Sequence, residues 1–345
     1  MNQLPKHESY LNPHNCEVLD VLVDAYQRKL PPYDTAVLPQ EYRPERMRED
    51  GGLYGTKEHA AFFFNACAYM RSTNAGDAIK KLTRLFDERP EFFDMEKLAS
   101  MEAGEVAGAL RNYGLGGIGT QNAIFWVENA QRMMERFDGD PRKIFEGCSS
   151  YEEAVERVRN EKDKKNGKGF LGFQEKMASM LLYFFTDEGL MTPTGFAWPM
   201  PSDRHAVRIF SATRMVDVPS TGESFYYDRL LQPIRDISQE YADARGVDPV
   251  EVTNAVWQLS SEFCSQAPGN QSKMEQSGEM KPVEVNPELA MQQRRWSRSC
   301  GRCFLRPYCE LWVALGNTNK YKTIEATLKK DNFHEQVSFS DMGLV

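Results

Sequence analysis

The spacing of apolar residues limits most strongly what this chain can fold into. Apolar side chains recur three and four positions apart, the period that buries one face of an α-helix. This pattern covers residues 60–70, 78–86, 95–110, 121–137, 151–158, 174–185, 203–216, 226–244 and 248–263. No convincing alternating run, the mark of a half-buried strand, accompanies these segments. The sequence therefore predicts an all-α protein.

The chain length and the breaks in the helical pattern predict the domain organisation. With 345 residues, the chain has room for about two domains. We expect an extension over 1–57, a helical domain over 58–200, a second helical domain over 201–315 and a tail over 316–345. The extension holds a possible short helix at 18–27, and the polar segment 265–299 predicts a surface loop. Asp248, Pro249 and Glu251 form the capping signature of a helix start.

The apolar stretches and the first residues bear on location. The most apolar stretches, 60–70 and 177–185, are about ten residues long with polar interruptions, and a membrane-spanning helix needs about 18 or more. The opening sequence MNQLPKHESY lacks the basic and apolar regions of a signal peptide. We therefore expect a cytoplasmic protein without a membrane partner, and a monomer.

The net charge of the chain is unfavourable for a protein that coats nucleic acid through its overall electrostatic field. Lys and Arg number 42 and Asp and Glu number 50, which gives a net charge of −8. Two local windows are basic nonetheless. Residues 157–168 hold six basic side chains against two acidic ones, and residues 291–309 hold five Arg and no acid. Phosphate contacts are expected there, with a solvated surface as the alternative.

Three of the seven cysteines form a short cluster. Cys300, Cys303 and Cys309 follow a C-x2-C-x5-C spacing, and the others are scattered. Without an export signal the thiols are expected to stay reduced, and such clusters bind metal more often than they form disulfides. Buried thiols without a metal are the alternative.

Two further segments have chemistry suited to an anion or a cation. The sequence GFLGFQEKM, 169–177, places a glycine turn at the head of a helix, whose first amides and dipole can bind phosphate. The sequence PSDRHAVRI places Asp203 at a helix start, where the dipole favours an ionised carboxylate. A plain helical hairpin and a plain N-cap are the alternatives for these two segments.

Taken in order, these motifs resemble those of the helix-hairpin-helix DNA glycosylases of the endonuclease III and adenine-glycosylase type. FLGFQEKMA, 170–178, is similar to the family's LPGVGRKTA hairpin, and SDRHAVRI, 202–209, to its VDTHxxRV segment. Upstream, YMRSTNAGDAIKKLTRLF and YGLGGIGTQNAIFWVENAQRMMERFDGDP also resemble family segments. The resemblance covers about 58–312.

The resemblance implies a fold and an activity. The fold would be two helical domains, a six-helix barrel with the helix-hairpin-helix and a metal-cluster domain, flanking a DNA-binding cleft. The activity would be that of a DNA N-glycosylase, which flips a modified base out of duplex DNA and excises it. Asp203 would be the catalytic carboxylate. Lys176 would be the nucleophile of an additional strand-cleaving lyase activity, or a phosphate or structural contact in an enzyme that only leaves abasic sites. The DNA-binding residues would be Gly172, Gln174, Arg294, Arg295, Arg298, Arg302 and Arg306.

The resemblance also implies a metal cluster. The iron–sulfur members space their ligands C-x6-C-x2-C-x5-C, and Cys300, Cys303 and Cys309 match the last three. Gln293 stands at the first position, so Cys264 is the best substitute. This ligand set implies a [4Fe–4S] cluster, with zinc as the alternative because both accept four cysteines.

Several departures from the family leave alternatives open. LGGIGTQNA, 115–123, matches the hairpin string better, but it would put Gln121 in place of the lysine. Phe196 and Trp198 lie in a longer segment before Asp203, where they either reshape a base pocket or pack on the surface. The chain has three long additions to the family core, namely residues 1–57, the stretch before Asp203 and the loop before Cys300. They suggest an antiviral enzyme that removes bulky glucosylated bases from phage DNA. The alternatives are a nucleosidase acting on modified free nucleosides or nucleotides and a non-catalytic DNA-binding module.

Overall fold

The computed structural model of the chain describes residues 10–70, 75–115, 120–159, 169–191, 195–267, 270, 300, 303–316 and 323–329. The chain divides into two compact units. The terminal unit comprises Met1–Ala36 and Ser202–Val345, and the central unit comprises Val37–Pro201. The described residues are mostly helical, as the sequence predicts. None of their helices is both long and apolar enough to span a membrane.

Seven described helices build the central unit. They are α2 (Lys57–Tyr69), α3 (Ala75–Glu88), α4 (Met95–Ser100), α5 (Ala103–Asn112), α6 (Thr120–Phe137), α7 (Tyr151–Val158) and α8 (Glu175–Asp187). Helix α2 is buried on nearly every side, which makes it the centre of the core. Phe62 stacks on Phe93, and Phe64 stacks on Phe173 with ring centroids 5.1 Å apart. The single helix predicted over 95–110 is two helices, because the backbone of Met101 is extended.

A buried polar cluster closes the far end of α8. The Glu188 carboxylate lies 2.9 Å from Arg43 Nε and 3.3 Å from His59 Nε2. Burial raises the pKa of Glu188 to about 8, against the opposing effect of Arg43. Burial and the Arg43 charge lower the pKa of His59 to about 4. The amide of Gln40 donates to both Tyr183 and Asp187 beside this cluster.

The terminal unit combines four described helices with a small sheet. The helices are α1 (Pro13–Gln27), α9 (Arg204–Ala212), α10 (Leu231–Arg245) and α11 (Pro249–Gln258). The strands are β1 (Thr221–Tyr226), β2 (Leu311–Leu315) and β3 (Thr323–Leu328). They pair antiparallel in the order β1-β3-β2, with Thr221 opposite Thr327 and Leu311 opposite Leu328.

The small sheet is an addition to the predicted helical fold, and no pattern in the sequence indicated it. Strand β1 is largely exposed, so it lacks the apolar alternation that marks a half-buried strand. Strand β2 is a run of only five apolar residues, which periodicity alone cannot assign. The predicted boundary at residue 315 also separates β2 from its partner β3, which lies in the expected tail.

The described residues of the predicted extension over 1–57 are divided between the two units. Helix α1 packs against α11, and the Tyr33 hydroxyl donates to the carbonyl of Ala255 at 2.7 Å. The Asn254 amide donates to the Tyr26 hydroxyl at 3.0 Å. Residues 37–57 of the predicted extension belong instead to the central unit. The extension is therefore divided between two cores, because its apolar side chains are buried in both.

The start of α11 follows the capping signature only in part. The Asp248 carboxylate accepts from the amide of Val250 at 2.9 Å, as expected of an N-cap. The Glu251 carboxylate accepts from the Gln27 side chain at 2.8 Å and thereby joins α11 to α1. The predicted helix over 248–263 ends as an α-helix at Gln258 and continues as the π-turn Leu259–Phe263.

Candidate functional site

The glycine turn, residues 169–174, is held from behind by α6. The Asn129 side chain donates to the carbonyl of Leu171 at 2.9 Å and accepts from its amide at 2.6 Å. The Arg132 guanidinium donates to the carbonyl of Gly169. Gly172 has φ +83°, a conformation that side chains with a Cβ rarely adopt. The backbone of the turn is therefore fixed before any ligand arrives.

Buried aromatic rings anchor the turn to the core. Phe170 and Phe173 are fully buried against Phe64. Gln174 follows as the exposed N-cap residue of α8, and Lys176 lies half-buried in the first turn of that helix. The first amides of a helix point along its axis away from the helix, where an anion can accept from them. The turn thus presents a helix N-terminus on a rigid support.

Asp203 is the N-cap residue of α9 in the terminal unit. Its carboxylate accepts from the amide of His205 at 2.8 Å and from that of Ala206 at 3.4 Å. Asp203 is half-buried. The helix dipole and the two amides favour a fixed anion at this position. The predicted carboxylate is therefore held in one orientation by backbone groups.

Tyr227 is a neighbour of Asp203 that the sequence did not single out. Its side chain is almost fully buried. Burial, followed by the charge of Asp203, raises the pKa of Tyr227 to about 12, so its hydroxyl stays protonated at neutral pH. No sequence signal links the two residues, because Tyr227 lies between β1 and α10, more than twenty positions from Asp203.

The four predicted metal ligands lie near one another in the terminal unit. Burial raises the pKa of Cys264 well above its usual value, and the nearby Cys303, Cys309 and Cys300 raise it further. Burial and Cys309 raise the pKa of Cys303 to about 12. Such thiols resist ionising together, and a bound metal would supply the compensating positive charge.

Lys329, the residue after β3, adds a cation that no sequence motif indicates. Its ammonium group donates to the Cys309 sulfur at 2.9 Å. Burial alone would lower the pKa of Lys329, but the charge and the hydrogen bond of Cys309 raise it above its usual value. The strand that delivers Lys329 lies in the predicted tail, where no motif draws attention to it.

The donor chemistry suits a metal, but the arrangement does not complete a metal site. Among the described ranges, no three His, Cys, Asp or Glu side chains form a group that could hold a metal ion. The cysteine ligand set and the identity of its metal therefore stay predictions.

Several predicted residues lie outside the described part of the chain. They are Arg294, Arg295, Arg298 and Arg302, with most of the competing turn at 116–119. Arg306 lies in the described part of the chain and is half-buried in a short turn. Its backbone amide donates to the carbonyl of Cys303 at 2.9 Å. Trp198 is buried, and Phe196 is half-buried. Lys176 and Asp203 belong to different units.

Comparison with known proteins finds likeness only among solved structures. No protein-family model matches the chain, and no curated protein matches it. The 8-oxoguanine DNA glycosylase of Thermotoga maritima is 20% identical with a TM-score of 0.43, covering 72% of this chain and 98% of that one. The Methanocaldococcus jannaschii 8-oxoguanine glycosylase/lyase, in complex with DNA containing 8-oxoguanine, is 16% identical with a TM-score of 0.43, covering 70% and 96%. Both TM-scores are low, so the likeness alone assigns neither activity nor substrate to this chain.

Proposed function

We propose that this chain is a DNA N-glycosylase that excises a modified base from duplex DNA. The observation that carries the proposal is the Asp203 carboxylate, fixed by the amides of His205 and Ala206 at the start of α9. A rigid anion is what a sugar needs when its bond to the base breaks, because the sugar then acquires positive oxocarbenium character. The braced glycine turn supplies the second requirement, a place to hold the DNA backbone.

The reaction begins when the target nucleotide rotates out of the DNA double helix. A base stacked inside a duplex is out of reach, so the enzyme bends the DNA and rotates the nucleotide outward. The amides at Gly172 and Gln174 bind backbone phosphate in this proposal. Arg306 contributes a second contact with phosphate, together with Arg294, Arg295, Arg298 and Arg302. These contacts position the strand without reading its sequence.

The chemical step breaks the bond between the sugar C1′ and the base nitrogen. The departing base takes the bonding electrons, and Asp203 stabilises the cationic sugar that remains. Water then adds to C1′ and loses a proton, which leaves an abasic site. In the lyase form of the reaction, the Lys176 amine attacks C1′ in place of water, the base leaves, and the sugar opens to a Schiff base with the lysine. Loss of a C2′ proton then expels the 3′-phosphate, and this elimination cleaves the strand.

The proposed cofactor is a [4Fe–4S] cluster, and its proposed ligands are Cys264, Cys300, Cys303 and Cys309. Zinc bound by the same four thiolates is the alternative. When bound, the group would organise the arginine-rich segment around Cys303 and Cys309. A brown protein that bleaches on replacement of Cys300 supports iron–sulfur, and a colourless protein with stoichiometric zinc supports the alternative.

The proposed substrate is a bulky, glucosylated base of phage DNA, which gives the enzyme an antiviral role. The additions to the family core, among them the segment with Phe196 and Trp198, support a pocket that differs from those for small oxidised bases. This part of the proposal concerns the substrate only and leaves the roles of Asp203 and Lys176 unchanged.

A panel of modified duplexes tests the proposal. The protein is incubated with DNAs that carry single modified bases, including glucosylated ones, and released bases are identified by mass spectrometry. The expected result is release of one class of free base. Release only from free nucleosides or nucleotides identifies a nucleosidase, and DNA binding without any release identifies a non-catalytic binding module. Borohydride trapping of a covalent complex that is lost in K176Q tests the lyase step.

A further inference from the structure

Lys329 connects the small sheet with the four predicted metal ligands, which we name the cysteine site. Its ammonium group donates to the Cys309 sulfur at 2.9 Å, and the residue is half-buried. A lysine ammonium has three donors and one positive charge, so it attracts a thiolate sulfur through both. The lysine and the cysteine site belong to the terminal unit. The cysteine site consists of Cys264, Cys300, Cys303 and Cys309.

Two further contacts fix the position of Lys329. Its backbone amide donates to the carbonyl of Glu310 at 2.9 Å, which extends the pairing of β2 with β3 by one residue. Its ammonium group also lies 4.4 Å from the centre of the Trp312 ring, a favourable position for a cation. Because Glu310 directly follows Cys309 in the chain, the sheet itself places the lysine beside the sulfur.

The chemistry of the cysteine site gives a cation a use at this position. Four thiolates carry four negative charges, so a zinc ion or an iron–sulfur cluster bound by them keeps a net negative charge. A charge that is removed from water needs a partner of the opposite sign. Hydrogen bonds from outside the ligand set also orient the ligands and change the properties of the metal. Lys329 supplies the charge and the hydrogen bond together, and it directs both at Cys309.

We propose that Lys329 is a positioning residue of the cysteine site, which holds the Cys309 sulfur in place and balances part of the negative charge of a bound metal centre. This role is the same for both proposed metals, but for a [4Fe–4S] cluster it has a further consequence. Reduction adds a negative charge, so a nearby cation favours the reduced form and raises the reduction potential. The inference rests on the proposed cofactor and adds a residue that is not one of its ligands.

The reduction potential of the iron–sulfur protein tests this role. K329M removes the ammonium group and leaves the backbone contact with Glu310 in place. At the potential that half-reduces the parent protein, we expect the ratio of reduced to oxidised cluster to fall about tenfold in K329M, a midpoint about 59 mV lower for one electron. K329R keeps the charge and should restore most of the ratio. K29M is the control, because Lys29 is an exposed lysine of the same unit that also lies over an aromatic ring, that of Tyr26.

Thermal unfolding and metal analysis verify that each variant is folded and loaded, and K329Q replaces K329M if that variant does not load. An unchanged midpoint in the loaded variant overturns the inference, and so does an equal shift in K29M, which would reflect only the overall charge. If the bound metal is zinc, competition with a chelator is the readout, and we expect K329M to bind zinc about 10–100-fold more weakly than the parent protein. Equal zinc affinities overturn the inference.

The same measurements separate this inference from the proposals on which it rests. A protein that binds neither metal refutes the proposed cofactor and the role of Lys329 with it. A loaded protein that shows the shift in K329M but releases no base leaves the role of Lys329 standing and refutes the glycosylase instead.

Discussion

Helices α8 and α9 each present a predicted functional residue at their start, but they are fixed in different ways. The start of α9 is capped by its own Asp203, one residue before the helix. The start of α8 depends on Asn129 and Arg132, more than thirty positions earlier in the chain. A local cap places a protein carboxylate at the helix terminus, whereas the remote contacts fix the turn that precedes the helix. The proposed function uses this difference, with the anionic catalytic group on α9 and the phosphate contact at the start of α8.

Removing the hydrogen bonds between Asn129 and the glycine turn should have the largest effect on stability. N129A leaves the buried amide and carbonyl of Leu171 without their partner, which we expect to cost roughly 2–4 kcal/mol of the free energy of unfolding. Chemical denaturation measures the difference. N122A is the matched control, because Asn122 lies buried on the same helix with no side-chain hydrogen bond among the described residues. Equal losses in the two variants would contradict a specific brace at Asn129.

The free energy of unfolding should depend on pH through the Glu188 cluster at the C-terminal end of α8. The pKa of Glu188 is raised to about 8, so burial favours its protonated form and stability is lost as the pH rises toward 8. The pKa of His59 is lowered to about 4, so its effect has the opposite sign and ends near pH 6.5. Between pH 6.5 and 8 only the Glu188 effect remains, with a slope of at most about 1.4 kcal/mol per pH unit.

E188Q should remove this pH dependence. Glutamine keeps the size of the side chain and has no proton to lose between pH 6.5 and 8. Urea unfolding at several pH values in that interval compares the variant with the parent protein. E41Q is the control, since the Glu41 charge is only a secondary influence on Glu188. A slope that persists in E188Q would show that another group of the protein titrates in this interval, and would contradict the role of Glu188.

A substitution at Gly172 in the glycine turn should have a smaller effect on the free energy of unfolding. G172A forces a Cβ into a φ of +83°, which we expect to cost about 1 kcal/mol of stability. Duplex affinity should fall with it, because the turn no longer presents its amides in the same orientation. G104A is the control, since Gly104 lies in α5 with open space around it. Unchanged duplex affinity in folded G172A would argue against the phosphate role of the turn.

The sequence predicted those features whose causes are local. Helix α7 has the predicted bounds Tyr151–Val158, and Asp203 and Asp248 are the N-cap residues that their short side chains and following sequence predict. Burial of one helix face repeats every three or four residues, so it is visible in a window of ten.

Features that depend on distant pairing were not predictable from one sequence. Strand β1 pairs with β3 across a separation of about one hundred residues, and no pattern in either strand names the other. Asn129 looks like any polar residue in a helix until the turn at Leu171 is placed beside it. The same is true of Lys329, which reaches the Cys309 sulfur only because β3 pairs with β2.

Base release under single-turnover conditions by D203N and D248N tests the central claim most directly. Both variants replace an N-cap aspartate of the terminal unit by asparagine, which caps a helix about equally well. We expect D203N to release the base at least about 100-fold more slowly with duplex affinity retained, and D248N to stay close to the parent rate. Equal rates in the two variants would contradict a catalytic role for the Asp203 carboxylate.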